Sequence, residues 1–72
     1  MNNYRVTGED REVGAIGIFE PFIENVVAES SLKAYEDARG QRYDNNREHV
    51  QIREIRLITD NYTVVIEPRA YL

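Results

Sequence analysis

The stretch Ile55–Glu67, IRLITDNYTVVIE, decides the fold because it predicts a complete β-hairpin. Asp60 and Asn61 provide a two-residue turn, and both residue types tolerate the positive φ that tight hairpin turns need. Pairing outward from this turn predicts three strand pairs: Ile58 with Thr63, Leu57 with Val64, and Ile55 with Ile66. One face of the hairpin then carries Ile55, Leu57, Tyr62, Val64 and Ile66, so it predicts part of the core.

The residues before the hairpin extend its first strand but change phase. Val50 and Ile52 have the opposite parity to Ile55 and Leu57. Because side chains alternate between the faces of a strand, a β-bulge near Arg53 and Glu54 is needed to put both apolar pairs on one face.

Three more strands are predicted in the first half of the chain. Tyr4–Thr7 alternates as a first strand, and Gly8–Asp10 is a turn signal. A return segment begins at Glu12 and is expected to be irregular, because two glycines interrupt its apolar pattern. Pro21 ends or bends this segment, since proline has no N–H to donate, and Phe22–Ala28 resumes as a strand.

A short amphipathic helix is predicted next. Ser30 and Ser31 are suitable N-cap residues, and Gly40 either ends the helix or lies within it as a weak point. Lys33 and Asp37 are spaced for an exposed ion pair. The predicted apolar stripe is Leu32, Tyr35 and Ala38.

These elements predict an α+β fold in one domain spanning residues 1–72, with residues 68–72 as a short tail. The sheet is expected to be antiparallel with four to five strands, and one helix packs across it. A polar loop, residues 44–47, links the helix to the strand that precedes the hairpin.

Composition narrows the function classes. The 72-residue chain carries a formal net charge of −4, and its basic residues are eight Arg and one Lys. This balance argues against nucleic acid as a direct partner, because phosphate binding depends on clustered Lys and Arg. No cysteine is present, and no apolar run is long enough to span a membrane. We therefore expect a cytoplasmic protein with neither a membrane anchor nor a leader.

No catalytic, metal-binding or cofactor-binding motif is recognisable. His49 is the single histidine, and the spacing of Asp44, Asn46 and Glu48 lacks the glycine and distal glutamate of a calcium loop. The GXXG spacing of residues 14–17 lies among acidic residues, which disfavours RNA binding. The thirteen acidic residues are interleaved with arginines, so mimicry of DNA is disfavoured too. We expect neither enzymatic activity nor a cofactor or metal.

Apolar residues crowd the glycine-rich and proline-broken segment between Ile16 and Ile23. A small core can absorb most of these side chains. Any that stay exposed beside acidic residues would form an aromatic anchor with an acidic rim, as in many protein-binding surfaces. The candidate protein-binding residues are Phe19, Glu20, Phe22, Glu24, Arg69 and Tyr71.

The middle of the chain, NVVAESSLKAYEDAR followed by HVQIREI, resembles a pattern in small phage proteins. There a strand leads into an A-E-S helix cap, a short helix and a strand with a V-x-I-x-x-I rhythm. Together with its size and acidity, the chain looks like the small phage-encoded transcription regulators that bind host RNA polymerase, of the type found in Xanthomonas phages. The resemblance covers about a third of the chain.

That resemblance implies binding to the large subunits of host RNA polymerase. It implies inhibition of promoter-dependent initiation through interference with the σ factor, and possible read-through of terminators. Two alternatives stay open: an anti-defence inhibitor that binds another host protein, and a small structural or accessory oligomer of a phage.

Overall fold

Four strands and one helix follow one another in the order ββαββ in the computed structural model, which describes residues 1–66. The predicted α+β fold is confirmed, and the sheet has four antiparallel strands in the order β2-β1-β3-β4. The element bounds are β1 Asn2–Glu12, β2 Glu20–Ala28, α1 Ser31–Asp44, β3 Arg47–Ile58 and β4 Thr63–Ile66.

The core lies between the helix and one face of the sheet. On β1, every second residue from Tyr4 to Asp10 is buried, which is the alternation that a strand with one covered face produces. A cluster of buried residues forms the core, and four partly buried residues pack against it: Tyr35, Ile52, Leu57 and Ile66. That cluster is Tyr4, Val6, Val26, Ala28, Ala34, Ala38 and Ile55.

The helix begins where the sequence predicts and continues past Gly40. The Ser30 hydroxyl accepts a hydrogen bond of 3.2 Å from the Lys33 N–H, which confirms Ser30 as the N-cap. The Lys33–Asp37 ion pair also forms, at 3.5 Å. At the other end, Asn46 has φ of 63° and reverses the chain into β3.

The helix faces the sheet with small side chains. Ala34 and Ala38 are fully buried, whereas Leu32 is half-exposed. The prediction that Leu32 belongs to the buried stripe is therefore wrong. The two alanines let the helix approach the sheet closely, and Leu32 lies at its N-terminal end beyond that contact.

The predicted hairpin register is confirmed. Ile58 pairs with Thr63, and the pairing continues through Leu57–Val64 to Ile55–Ile66. The predicted turn geometry is wrong, because Asp60 and Asn61 do not adopt positive φ. The Thr59 hydroxyl organises the turn instead. It accepts hydrogen bonds from the N–H groups of Asn61 and Tyr62, and Tyr62 stays exposed.

The predicted bulge in β3 is confirmed, and a second irregularity follows it. Thr7 pairs with Glu54 while Gly8 pairs with Ile52, so Arg53 is the extra residue. A further register shift between Glu9 and Arg11 of β1 faces His49 of β3, whose φ is 52°. At both shifts β3 has more residues than the facing part of β1, and such bulges increase the local twist of a strand.

Two predictions for the first half of the chain are wrong. Gly8–Asp10 is not a turn, because β1 runs without interruption to Glu12. Gly8 instead permits close strand contact: a Cβ there would lie 2.0 Å from the Gln51 carbonyl oxygen. The segment after Glu12 is a loop, residues 13–19, rather than a strand. Pro21 lies inside β2, a position that an edge strand tolerates.

Among the residues that the structure describes, no helix covers the other face of the sheet. Exposed apolar side chains on this outer face include Ile23 and Val27 of β2 and Val65 of β4. Within residues 1–66, no helix combines the length and apolar character needed to cross a membrane.

Candidate protein-binding surface

The loop between β1 and β2, residues 13–19, is called here the apolar loop. Gly14 and Gly17 adopt φ of 89° and 81°, a region that side chains disfavour, and so they allow the sharp local bends by which the loop connects two antiparallel strands. The Val13 N–H donates to the Asn46 carbonyl at 3.1 Å, and the Gly14 N–H donates to the Glu48 carboxylate at 3.3 Å. These bonds hold the base of the loop against the start of β3.

The apolar loop presents its large side chains to solvent. Ile16 is 92% exposed and Ile18 is 68% exposed, while Phe19 is 39% exposed and Val13 is half-exposed. Single exposed apolar residues are ordinary on protein surfaces, but four within seven residues form a patch. Concentrated exposed apolar surface is a common feature of protein-association sites, and this makes the loop a candidate site.

Phe19 is held in place at one side of this patch. The guanidinium group of Arg11 lies 5.7 Å from the centre of the Phe19 ring, within the range of a cation–π interaction. The same guanidinium group donates a 3.0 Å hydrogen bond to Glu48. Phe19 is therefore a partly exposed ring whose orientation is restrained by its contact with Arg11.

A network of five charged side chains lies between the sheet and the end of the helix next to the apolar loop. Asp10 is at its centre and is fully buried. Arg42 of the helix donates two hydrogen bonds to the Asp10 carboxylate, at 2.7 and 3.2 Å, and Arg47 of β3 donates a third at 2.9 Å. The third guanidinium nitrogen of Arg42 donates to Glu24 at 3.1 Å, and a second nitrogen of Arg47 donates to Glu20 at 3.0 Å.

The network is electrostatically satisfied. Burial raises the pKa of Asp10, but hydrogen bonds from Arg42 and Arg47 and their positive charges outweigh burial, so this pKa lies below its ordinary value of 3.8. The pKa of Arg42 is raised, first by its hydrogen bond to Asp10. No buried side-chain nitrogen or oxygen within residues 1–66 lacks a hydrogen-bond partner. The network therefore stabilises the fold, and its five residues, Asp10, Glu20, Glu24, Arg42 and Arg47, are called here the charged brace.

Phe22 packs against this brace. It is only 5% exposed, and the Arg42 guanidinium lies 4.7 Å from its ring centre. Its ring also occupies the space that Gly8 leaves open, because a Cβ at Gly8 would lie 3.0 Å from it. The structure thus contradicts the placement of Phe22 on an exposed surface.

The predicted site residues therefore separate into three groups. Phe19 lies in the apolar loop, and Glu20 follows it with most of its side chain exposed, although one of its carboxylate oxygens also bonds to Arg47 of the brace. Phe22 and Glu24 are tied to Arg42 inside the brace. Arg69 and Tyr71 lie outside the described residues.

The sequence does not predict the brace, and it predicts too little exposure for the apolar side chains of the loop. Local turn propensity places Asp10 in a turn. Its position continues the alternation of Tyr4 and Val6, and this alternation is the signal that predicts a buried side chain. Of the five apolar residues crowded between positions 16 and 23, only Phe22 is buried, so the expectation that the core absorbs most of them is wrong. No grouping of three or more potential metal ligands occurs within residues 1–66.

Comparison of the chain with families of known proteins, with curated proteins and with solved structures gave no match.

Proposed function

We propose that this protein is a phage-type regulator that acts by binding a host protein through the apolar loop. The observation that carries the proposal is the exposure of Ile16 and Ile18 in a loop whose base is hydrogen-bonded to β3. Exposing two isoleucines is unfavourable in water, and burying them against a partner recovers that free energy. A loop anchored at its base also loses less conformational entropy on binding than a mobile one.

The rim of the loop sets the chemistry of the partner. Glu12 and Glu20 flank the apolar residues, and Glu20 shares one carboxylate oxygen with Arg47 while most of its side chain is exposed. With a net charge of −4, the protein carries a negative field that favours encounter with a basic surface. The expected partner site is an apolar pocket bordered by Lys or Arg.

We propose host RNA polymerase as that partner, on the resemblance of the sequence to small phage regulators. In this proposal the protein occupies a surface of the large subunits that the σ factor needs, and so it inhibits initiation. It acts by occupancy, without turnover of a substrate, in the cytoplasm of the host.

Binding to purified RNA polymerase tests this proposal. The polymerase would come from a Xanthomonas host, as core enzyme and as holoenzyme, with promoter-dependent transcription as the second readout. The variant Ile16→Ser with Ile18→Ser should weaken binding at least tenfold, since two buried isoleucines each contribute more than about 1 kcal/mol. Its thermal midpoint should stay unchanged, because both side chains are exposed.

Val65→Ser is the matched control. Val65 is an exposed apolar residue on β4, away from the apolar loop, so this variant should bind like the unaltered protein. Absence of binding by the unaltered protein would exclude RNA polymerase as the partner. Equal binding by the loop variant and the control would exclude the apolar loop as the contact.

A further inference from the structure

The second strand, β2, is an open edge of the sheet. It pairs with β1 on one side over nine consecutive residue pairs without a register shift. On its other side no strand lies within residues 1–66. An edge of this kind offers main-chain N–H and C=O groups to any strand that can approach, and most proteins block such edges with charges, bulges or proline.

Within the strand itself those blocking features are few, although Glu36, Asp37 and Asp44 of the helix border the same edge beside Val26 and Val27. Pro21 is the second residue of the strand, and Glu24 is the one charged residue among residues 22–28. The Glu24 carboxylate is directed to the helix side, where it accepts a hydrogen bond from Arg42. The outer face of the strand therefore shows only Ile23, Asn25 and Val27, with the two apolar residues 64% and 58% exposed.

We propose that the edge of β2 binds a second copy of this chain, by antiparallel pairing of the two β2 strands about a two-fold axis at Asn25. The two four-stranded sheets then join into one sheet of eight strands. In this register Ile23 lies opposite Val27 of the second copy, and the symmetry repeats that pair on the other side of the axis. Each exposed apolar side chain gains an apolar cross-strand neighbour.

The pairing of charged and apolar side chains favours this register over its two neighbours. Moving the axis to Glu24 would set the two Glu24 side chains directly opposite each other, which is unfavourable. Moving it to Val26 would set Ile23 opposite Glu29. With the axis at Asn25, Glu24 lies opposite Val26 and no two charged residues of the paired strands are opposed. A self-complementary strand is what an isologous interface requires.

The paired dimer leaves the apolar loop free. Antiparallel strands place the two loops at opposite ends of the joined strands, so dimer formation and partner binding use different surfaces. Because one strand edge and two pairs of apolar side chains make a small interface, the dimer should dissociate on dilution.

Sedimentation equilibrium over a range of concentrations tests the dimer and its register together. Combining Ile23→Lys with Val27→Lys places lysine opposite lysine at both pairs, and should shift the protein to monomer. Combining Ile23→Lys with Val27→Glu places opposite charges at the same pairs, and should retain dimer. Val65→Lys, on the far edge strand, should sediment like the unaltered protein. A monomer for the unaltered protein at every concentration overturns the proposal, as does equal dissociation of the two double variants.

Disulfide trapping is an independent test, since the chain contains no cysteine. Asn25→Cys places the two sulfur atoms across the axis at the separation of directly paired residues, which suits a disulfide. It should form a covalent dimer under mild oxidation, whereas Thr63→Cys on β4 should remain monomeric. Cross-linking of the Thr63 variant in preference to the Asn25 variant would show pairing through the wrong edge and overturn the proposal.

Discussion

Gly8 and Gly40 are both interior glycines, yet their surroundings differ. A Cβ at Gly8 would lie 2.0 Å from the Gln51 carbonyl oxygen, whereas a Cβ at Gly40 meets nothing within 4 Å. At Gly8 the missing side chain permits backbone contact between β1 and β3. At Gly40 it only weakens the helix, since glycine loses more conformational entropy than alanine on folding.

We therefore predict that Gly8→Ala lowers the free energy of unfolding by about 3 kcal/mol or more, because β1, β3 and the Phe22 ring must all shift. Gly40→Ala should raise it by about 0.5–1 kcal/mol. Urea denaturation followed by circular dichroism measures both. Similar effects of the two substitutions would contradict the assignment of Gly8 to a close strand contact.

The helix depends on its N-cap at the scale of the element. The first turn of the helix contains no acidic residue, so the Ser30 hydroxyl is the described side-chain acceptor for its free N–H groups. Most of the helix stability comes from packing of Ala34 and Ala38, which the cap does not touch.

Ser30→Ala should lower the free energy of unfolding by about 1 kcal/mol, because the Lys33 N–H loses its acceptor. Ser30→Asp is the matched control and should retain or slightly increase stability, since aspartate also caps and its charge suits the helix N-terminus. Thermal and urea unfolding measure the difference. Equal loss in both variants would mean that the hydroxyl does not act as the cap.

The elements that sequence predicts well are those fixed by local periodicity. Opposite parity of Val50 and Ile55 requires a bulge between them, and centring the hairpin turn on Asp60 and Asn61 is enough to predict its register, although the turn itself is organised by Thr59. The turn at Gly8–Asp10 fails for the opposite reason. Those residues have high turn propensity, but pairing with β3, more than 40 residues later, overrides it.

The candidate site shows the same limit. Asp10 can be buried because Arg42 and Arg47 donate hydrogen bonds to its carboxylate. These two partners lie 32 and 37 residues away in sequence. No local pattern links these three residues, so a buried carboxylate could not be distinguished from a turn residue. The exposure of Ile16 and Ile18 was equally hidden, since apolar residues are ordinarily assigned to a core.

At the scale of the whole molecule, the charged brace joins all three strands of the β2-β1-β3 layer to the helix. Asp10 belongs to β1, Arg42 to α1 and Arg47 to β3, while Glu20 and Glu24 belong to β2. Because the pKa of Asp10 is lowered in the folded protein, the folded state binds fewer protons than the unfolded state as the pH falls. The stability from the brace is complete above the ordinary pKa of 3.8 and is lost as the pH falls through the lower, folded value.

Asp10→Asn should lower the free energy of unfolding at neutral pH by about 3 kcal/mol. This is the low end for breaking a buried ion pair, because Arg42 and Arg47 retain some contact with solvent. The variant should also lose less stability than the unaltered protein between pH of about 5 and about 2. Urea unfolding at a series of pH values measures both effects.

Glu54→Gln is the control for this prediction. Glu54 also has a lowered pKa, first through its hydrogen bond to Arg56, but the pair is on the open outer face. A solvent-screened pair contributes little, so this variant should follow the unaltered protein at neutral pH. Parallel pH curves for the Asp10 variant and the unaltered protein would contradict the role of the brace in acid stability.

The position of β1 at the centre of the sheet has a consequence for biosynthesis. β1 is made before the other three strands described here, yet its pairing with β3 joins residues 3 and 58 at one end of the seam. A ribosome that has released β1, β2 and the helix has released only the β1–β2 hairpin of the sheet, and an isolated hairpin is marginally stable in water. The smallest loop that the β1–β3 seam closes runs from residue 12 to residue 47, about half of the chain, so the entropic cost of closing it is covered late in folding. The nascent chain therefore completes its fold only after Ile58 leaves the exit tunnel, and until then Val6 has no Ile55 to pack against.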